Sequence, residues 1–241
     1  MNFPEGITWK QRFITGGDLL ERPFTLYTIG NLWKNSDNSI IDLSGIDTSS
    51  VTNMSNMFND CSKFTNVLQF DTSNVTSMDS MFSYCSKLTS IPQLDTSNVT
   101  DMDGMFNSCS GLTYIPQLDT SNVTSADNMF QYCSSLTSIP LLDVSNLNKV
   151  YRLTYSCSKL QHLGGFKNLG MKSSFSGTND NYFLYACPLL THESIMNVIN
   201  NLYDRAAAGY SVLKLKLHAN TLALLSDEEK AIATNKGWTL S

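Results

Sequence analysis

Five cysteines recur along this chain at intervals of 24 residues, and none of the four intervals departs from that spacing. A period of this length is typical of proteins built from stacked repeats, in which each repeat packs only on its neighbours. Aspartates and prolines follow the same period. The residues are Cys61, Cys85, Cys109, Cys133 and Cys157; Asp47, Asp71, Asp95, Asp119 and Asp143; and Pro92, Pro116 and Pro140.

Each repeat contains an apolar series that predicts a short helix. Val75, Met78 and Phe82 fall at helical spacing. Thr76 with Asp79 matches the threonine and acid that start many helices, because both side chains satisfy free backbone N–H groups. The same pairing recurs in two further repeats, at Thr100 with Asp103 and at Thr124 with Asp127.

A short strand is expected after each cysteine. Residues 88–91 alternate as a strand does, and Pro92 ends the run because proline cannot donate to a β-ladder. One parallel sheet of these strands, roughly 24 Å across six turns, is expected from a strand spacing of about 4.8 Å. The sequence therefore predicts an α/β solenoid, a leucine-rich-repeat-like stack of 24-residue strand and short-helix units.

The period divides the chain into three parts. Residues 1–45 do not repeat and are expected to cap the stack or to dock it onto something else. Residues 46–190 hold five regular repeats and a sixth, stretched by an insertion at 164–182, that ends in Cys187. Residues 191–241 lose the period and are expected to form a terminal cap.

The cap is expected to be a helix, a strand and a second helix. A helix begins at Thr191, residues 212–218 alternate as a strand, and Ser226 with Glu229 forms a capping box for the second helix. Residues 238–240 could add a last strand.

The repeated cysteines and aspartates each have two readings. The cysteines are expected to be buried free thiols, with disulfides as the alternative, because side chains in one column of a stack point the same way. Asp71 and its equivalents are expected to accept the backbone N–H two residues on, in Asx-turns. A cation shared between neighbouring aspartates is the alternative for this column.

Composition argues against several partner classes. The net charge is −5, and the 16 lysines and arginines form no cluster in the sequence, so no nucleic acid is expected as a partner. No apolar run is long enough to span a bilayer, so no membrane insertion is expected. The first residues lack the pattern of a secretory signal, which favours assembly in the cytosol.

No catalytic, cofactor or metal site is expected either. The three histidines, His162, His192 and His218, are far apart in sequence and lack metal or triad spacing. No phosphate-binding loop is present. The carboxylates belong to turns and helix starts rather than to a glycosidase-like pair.

The repeat consensus resembles a known family. Residues 81–100 and 105–124 share Met-Phe-x-x-Cys-Ser-x-Leu-Thr-x-Ile-Pro-x-Leu-Asp-Thr-Ser-Asn-Val-Thr, or close variants of it. This resembles the BspA-like leucine-rich repeats of bacterial surface proteins. The segments 187–202 and 233–240 look like the C-terminal cap of repeat proteins from gut Bacteroidales and their crAss-like bacteriophages. The resemblance covers residues 46–241 and implies adhesion or recognition without catalysis.

A varied surface is the candidate binding face. One column of changing residues lies in the expected strands, and another precedes the cysteines. Tyrosines on a polar background suit contacts with a protein or a surface glycan, because the ring offers area at low entropic cost. The candidate residues are Asn66, Tyr84, Ser90, Tyr114, Tyr132, Ser138 and His162.

Three functions follow as expectations. The leading one is a non-enzymatic recognition or structural protein of a bacteriophage virion, associated with the tail or a fibre and in contact with other virion proteins. The alternative is a cell-surface or secreted bacterial adhesin of the BspA-like type. The third is an enzyme that acts on glycans.

Overall fold

The computed structural model describes residues 40–41, 47–67, 69–172 and 184–241, with the backbone alone for 40–41. The N-terminal segment predicted at 1–45 therefore lies almost wholly outside the described residues, as does most of the insertion predicted at 164–182.

The strands are short, and their described pairings are parallel. Four two-stranded ladders pair β1 with β2, β3 with β5, β4 with β6, and β7 with β8. In chain order the elements are β1 (Ile40–Ile41), β2 (Asn66–Val67), β3 (Ser138–Ile139), β4 (Leu142–Asp143), β5 (His162–Leu163), β6 (Phe166–Lys167), α1 (His192–Asn201), β7 (Leu213–Leu215), α2 (Ala219–Leu222), α3 (Asp227–Asn235) and β8 (Trp238–Leu240).

Residues 47–172 form a stack of turns, which we call the turn stack. Parallel bridges join Asn53 to Ser77, Ser77 to Asp101, and Asp101 to Ser125. Each of these residues therefore pairs with the residue 24 positions later, in the next turn. The backbone N–H of Tyr84 donates to the Asn107 carbonyl at 2.7 Å, and this bond recurs from turn to turn. The single wide sheet expected from the sequence is replaced by short ladders and single bridges.

The short helices predicted within the repeats are wrong for the described residues of the turn stack, none of which is helical. The backbone has positive φ at two positions four residues apart in each turn, such as Ser80 at 55° and Tyr84 at 63°. An α-helix requires negative φ, so the chain instead makes a series of tight turns with bonds of the type Met81 N–H to the Met78 carbonyl, 3.2 Å.

The threonines predicted to start those helices serve another purpose. The hydroxyl of Thr76 donates to the Thr52 carbonyl in the preceding turn at 3.0 Å, and Thr100 donates to the Thr76 carbonyl at 3.2 Å. Because no helix follows, no free helical N–H groups need a cap, and the hydroxyl joins successive turns.

The Asx-turns predicted for the aspartate column are confirmed. The Ser73 N–H donates to Asp71 Oδ1 at 2.9 Å, and the equivalent bond at Ser97 and Asp95 is 3.0 Å. These bonds hold the pKa of Asp71 below its ordinary value, because they stabilise the ionised carboxylate.

The core is a set of columns made of identical or similar side chains. Phe58, Phe82, Phe106 and Phe130 stack face to face, with ring centroids 5.3, 5.7 and 5.6 Å apart along the column. All four rings are fully buried. Stacked rings contribute about 0.5–1.5 kcal/mol each beyond burial, so this column favours the in-register alignment of the turns.

The terminal cap begins as the sequence predicts. Thr191 caps α1, and its side chain accepts from the Ser194 N–H. The Ser194 hydroxyl donates to the Gln161 carbonyl at 2.8 Å and accepts from the Leu163 N–H at 3.0 Å. The helix thus satisfies backbone groups on the last regular turn.

The rest of the cap is close to expectation. The capping box of Ser226 and Glu229 at the start of α3 is confirmed, and β8 pairs with β7 as the last strand. The four-residue helix α2 was not predicted. Buried Arg205 donates to the carbonyls of Gly170 at 2.6 Å and Ser211 at 2.9 Å, which ties the cap to the chain before it.

Classification as a leucine-rich-repeat-like α/β solenoid stays a prediction. The described chain is a stack of 24-residue turns with a helix-containing cap, in which the repeats carry tight turns where helices were expected.

One column of buried threonines offers a matched test of the stacking bonds. The hydroxyl of Thr96 donates to the Asp119 carbonyl at 2.9 Å. The buried Thr120 hydroxyl, one turn on, has no hydrogen-bond partner among the described residues, and the next position in the column is Val144. Thr96→Val should lower the free energy of unfolding by about 1 kcal/mol, whereas Thr120→Val should be neutral or stabilising. Urea denaturation of both variants measures this, and equal losses would contradict it.

Candidate binding groove beside the cysteine column

The candidate site is built outward from the cysteines. Cys85 Sγ donates to the Phe58 carbonyl of the preceding turn at 3.0 Å, and Cys109 donates to the Phe82 carbonyl at the same distance. All six cysteines are free and fully buried, which confirms the thiols expected from the sequence. Burial raises the pKa of the Cys109, Cys133 and Cys157 thiols, and it raises that of Cys187 to about 12. The pKa of Cys85 is raised by its side-chain contact with Cys61 and by burial.

The residue before each of the first five cysteines has a left-handed backbone. Tyr84 and Tyr132 have φ of 63° and 61°. This conformation turns the chain sharply, so that the cysteine enters the core while the tyrosine leaves it. The two tyrosines are 53% and 47% exposed, which is high for large aromatic side chains. The local turn therefore holds these rings on the surface.

A serine follows each of the first five cysteines. The Ser134 N–H donates back to the Tyr132 carbonyl at 2.9 Å, and Ser86 bonds to the Tyr84 carbonyl in the same way at 2.8 Å. These bonds close the turn around the cysteine and fix where the serine emerges. The serines are Ser62, Ser86, Ser110, Ser134 and Ser158, and all are at least partly exposed.

The last turns and the cap together form a shallow open groove of about 680 Å³, which we call the serine–tyrosine groove. The turn stack contributes serine hydroxyls and one tyrosine, and the chain around Cys187 contributes a second tyrosine and a proline. Its wall residues include Ser134, Ser158, Tyr132, Tyr185, Pro188 and His218.

A lysine and a histidine lie against the tyrosine that the cap side contributes. Lys216 Nζ lies 4.5 Å from the centroid of the Tyr185 ring, and the His218 ring lies 6.3 Å from it. A cation over an aromatic face is attracted by about 0.5–1 kcal/mol at an exposed site. Tyr185 is 41% exposed, so one part of its ring remains open to the groove.

The tyrosine that the turn stack contributes is also held in place. Tyr132 packs edge-on against Tyr155, with ring centroids 5.7 Å apart. The guanidinium of Arg152 lies over the Tyr155 ring at 5.6 Å. This contact restricts the Tyr132 ring before any ligand binds, which lowers the entropic cost of binding.

The structure separates the residues that the sequence grouped into one face. Tyr132 lines the groove, and Tyr84 occupies the same column two turns earlier. The others belong to the strand column, where Tyr114 pairs with Ser138 and Ser138 with His162. None of the strand column is among the described lining of the groove. These residues are Asn66, Ser90, Tyr114, Ser138 and His162.

Sequence reasoning missed the serine column and the contribution of the cap. The Cys-Ser pair recurs in five turns and could have been found from the sequence. Tyr185 and His218 could not, since the first follows the insertion and the second lies in the cap, where the 24-residue register no longer applies.

The groove offers hydroxyls, aromatic faces and one imidazole, a set that suits recognition of a polar partner. Among the residues that the structure describes, no group of three or more histidine, cysteine or acidic side chains is arranged to hold a metal ion. In the same described residues, no helix is both long and apolar enough to cross a membrane.

Comparison with known proteins finds one family whose model matches the repeats. The family described as "Mycoplasma protein of unknown function, DUF285" matches residues 28–138 and 86–178, which together span 28–178, more than half of the chain. The chain belongs to this family. The DUF285 match covers the turn stack and the aromatic wall at Tyr132, while Tyr185 and His218 lie beyond it.

No curated protein and no solved structure matches the chain.

The cysteines behind the groove should be unreactive in the folded protein. The thiolate is the nucleophile, and burial disfavours it in this column. We expect negligible reaction of the native chain with Ellman's reagent and release of all six thiols in guanidinium. Rapid reaction of one or more native thiols would contradict the buried column.

Proposed function

We propose that this chain is a non-enzymatic recognition protein that binds a protein or glycan partner in the serine–tyrosine groove. The observation that carries the proposal is the pair of exposed tyrosines, Tyr132 and Tyr185, which line one groove from turns that are two apart. Exposed aromatic rings with fixed positions are typical of binding surfaces, because they bury area at small entropic cost.

We also propose that the repeats are of the BspA-like type. The family match and the repeat consensus both support this narrower assignment. The resemblance implies recognition by a ladder-like face, which agrees with a groove whose walls come from successive turns.

A tyrosine that is exposed but outside the groove provides a matched control. Tyr114 is 52% exposed and belongs to the strand column. With fluorescently labelled chain on intact bacterial cells and on a glycan array, Tyr132→Ala and Tyr185→Ala should each weaken binding by about tenfold, and Tyr114→Ala should leave it unchanged.

Loss of binding in Tyr114→Ala alone would move the site to the strand column. Retained binding in all three variants, each with an unchanged melting temperature, would exclude both surfaces.

For its biological setting, we propose a bacteriophage virion component associated with the tail or a fibre. The support is the resemblance of segments 187–202 and 233–240 to caps of repeat proteins from gut Bacteroidales and their phages. Peptides of this chain should appear in mass spectra of virions purified by density gradient, at a constant ratio to capsid protein. Their absence from such virions would contradict this setting.

A bacterial cell-surface adhesin is the second candidate, and the support is the resemblance of the repeats to those of bacterial surface proteins. In that setting, the chain would be recovered from the surface fraction of uninfected bacteria and would be cut by protease added to intact cells. Recovery only after phage infection would count against it.

A further inference from the structure

The groove opens onto a strip of surface that carries no acidic side chain. In each regular turn the strip is the cysteine and the four residues after it. Within these segments the charged residues are Lys63, Lys87 and Lys159, and all three are exposed. The five segments, which we call the hydroxyl strip, are 61–65, 85–89, 109–113, 133–137 and 157–161.

This distribution contrasts with the rest of the chain. The net charge of the whole sequence is −5. Acidic side chains lie in other columns of each turn, for example at Asp95 and at Asp103. Stacking brings Lys63, Lys87 and Lys159, which are 24 and 72 residues apart, to the same position in different turns. Lysines that are far apart in the sequence therefore share one edge of the fold.

The polar groups of the strip are mainly hydroxyls. Serine follows every cysteine in it, and threonine occupies the fifth position in four of the five turns. Thr113 and Thr137 donate to carbonyls of the preceding turn, at 3.3 and 3.1 Å, so their oxygens still have lone pairs that can accept. Serine and threonine hydroxyls can donate to a carboxylate as well as accept from a sugar hydroxyl.

The spacing of the turns favours a polysaccharide over a peptide. Neighbouring turns advance by about 4.8 Å, the separation of hydrogen-bonded strands. One sugar in an extended 1,4-linked chain advances by nearly the same length, so successive sugars would meet equivalent side chains. An extended peptide presents one face every two residues, or about 6.6 Å, and falls out of step with the turns.

The tyrosine walls fit the same ligand. Tyr132 and Tyr185 belong to turns that are two apart, those of Cys133 and Cys187, with the turn of Cys157 between them. In a chain lying along the stack, the two tyrosines would contact two sugars that are separated by one. The hydroxyls of Ser156 and Ser158 would contact the sugar between them.

From this geometry we infer that the ligand of the groove is a linear polysaccharide with carboxylated sugars, bound along the hydroxyl strip. The inference rests on the proposed function and names the partner class. Lysines supply the charge complementarity, tyrosines the apolar contacts, and hydroxyls the contacts to sugar oxygens.

The test uses the full chain and three acidic polysaccharides of defined length: polymannuronate, polygalacturonate and hyaluronan. Cello-oligosaccharides serve as the neutral control and poly-L-glutamate as the non-sugar polyanion. Calorimetry should detect binding to at least one acidic polysaccharide and weaker or no binding to both controls. The affinity should fall as salt is raised, because exposed charges are screened.

Single substitutions locate the binding. Lys159→Gln should weaken it about twofold to fivefold, the range for one exposed charge contact. Lys230→Gln removes the same charge from the cap helix α3, outside the strip, and should have no effect. Tyr132→Ala should weaken it further than Lys159→Gln, and the melting temperature of each variant shows whether the fold is kept.

The inference would be overturned by equal binding of the neutral oligosaccharide, by equal binding of poly-L-glutamate, or by no binding to any of the three acidic polysaccharides. Binding of a protein through Tyr132 and Tyr185, without binding of these sugars, would overturn it and leave the proposed function standing. Retained binding to cells in all groove variants would instead contradict the proposed function.

Discussion

The structure depends on backbone hydrogen bonds that join each turn to the next. These bonds align Ser77 with Asp101, and in one of them the Tyr84 N–H donates to the Asn107 carbonyl. They require the same backbone shape in every turn, and the left-handed residues before the cysteines provide it. Once that register holds, every side chain falls into a column of equivalents. The stacked phenylalanines, the buried thiols and the Asx-turns are consequences of one alignment.

The period in the sequence was enough to predict this alignment, because a column needs like residues at like positions. The Asx-turns, the buried thiols and most of the cap followed from local chemistry. The helices predicted within the repeats were wrong, because a series of tight turns also places apolar residues three and four apart, as at Met78, Met81 and Phe82. What distinguishes the two is positive φ at Ser80 and Tyr84. Neither residue type favours that conformation strongly enough to be read from sequence.

The groove was only partly predictable for a related reason. Tyr132 belongs to a regular turn, so its exposure follows from its column. Tyr185 comes after an insertion and His218 belongs to the cap, so their approach to Tyr132 depends on how the cap docks. That docking is set by bonds such as Ser194 Oγ to the Gln161 carbonyl and Arg205 to the Gly170 carbonyl. These are long-range contacts between residues that no repeat pattern relates.

Stacking also explains why charge on this protein is arranged in strips. A side chain repeated every 24 residues returns close to its own copy, so an acidic position becomes a line of carboxylates and a basic one a line of ammonium groups. The line of Asp71 and Asp95 is tolerated because it is exposed and each carboxylate accepts a serine N–H. Two acidic columns beside each other would repel across every turn. Keeping acids off the edge that carries Lys87 and Lys159 lowers that repulsion and leaves the surface for which we propose a polyanionic ligand.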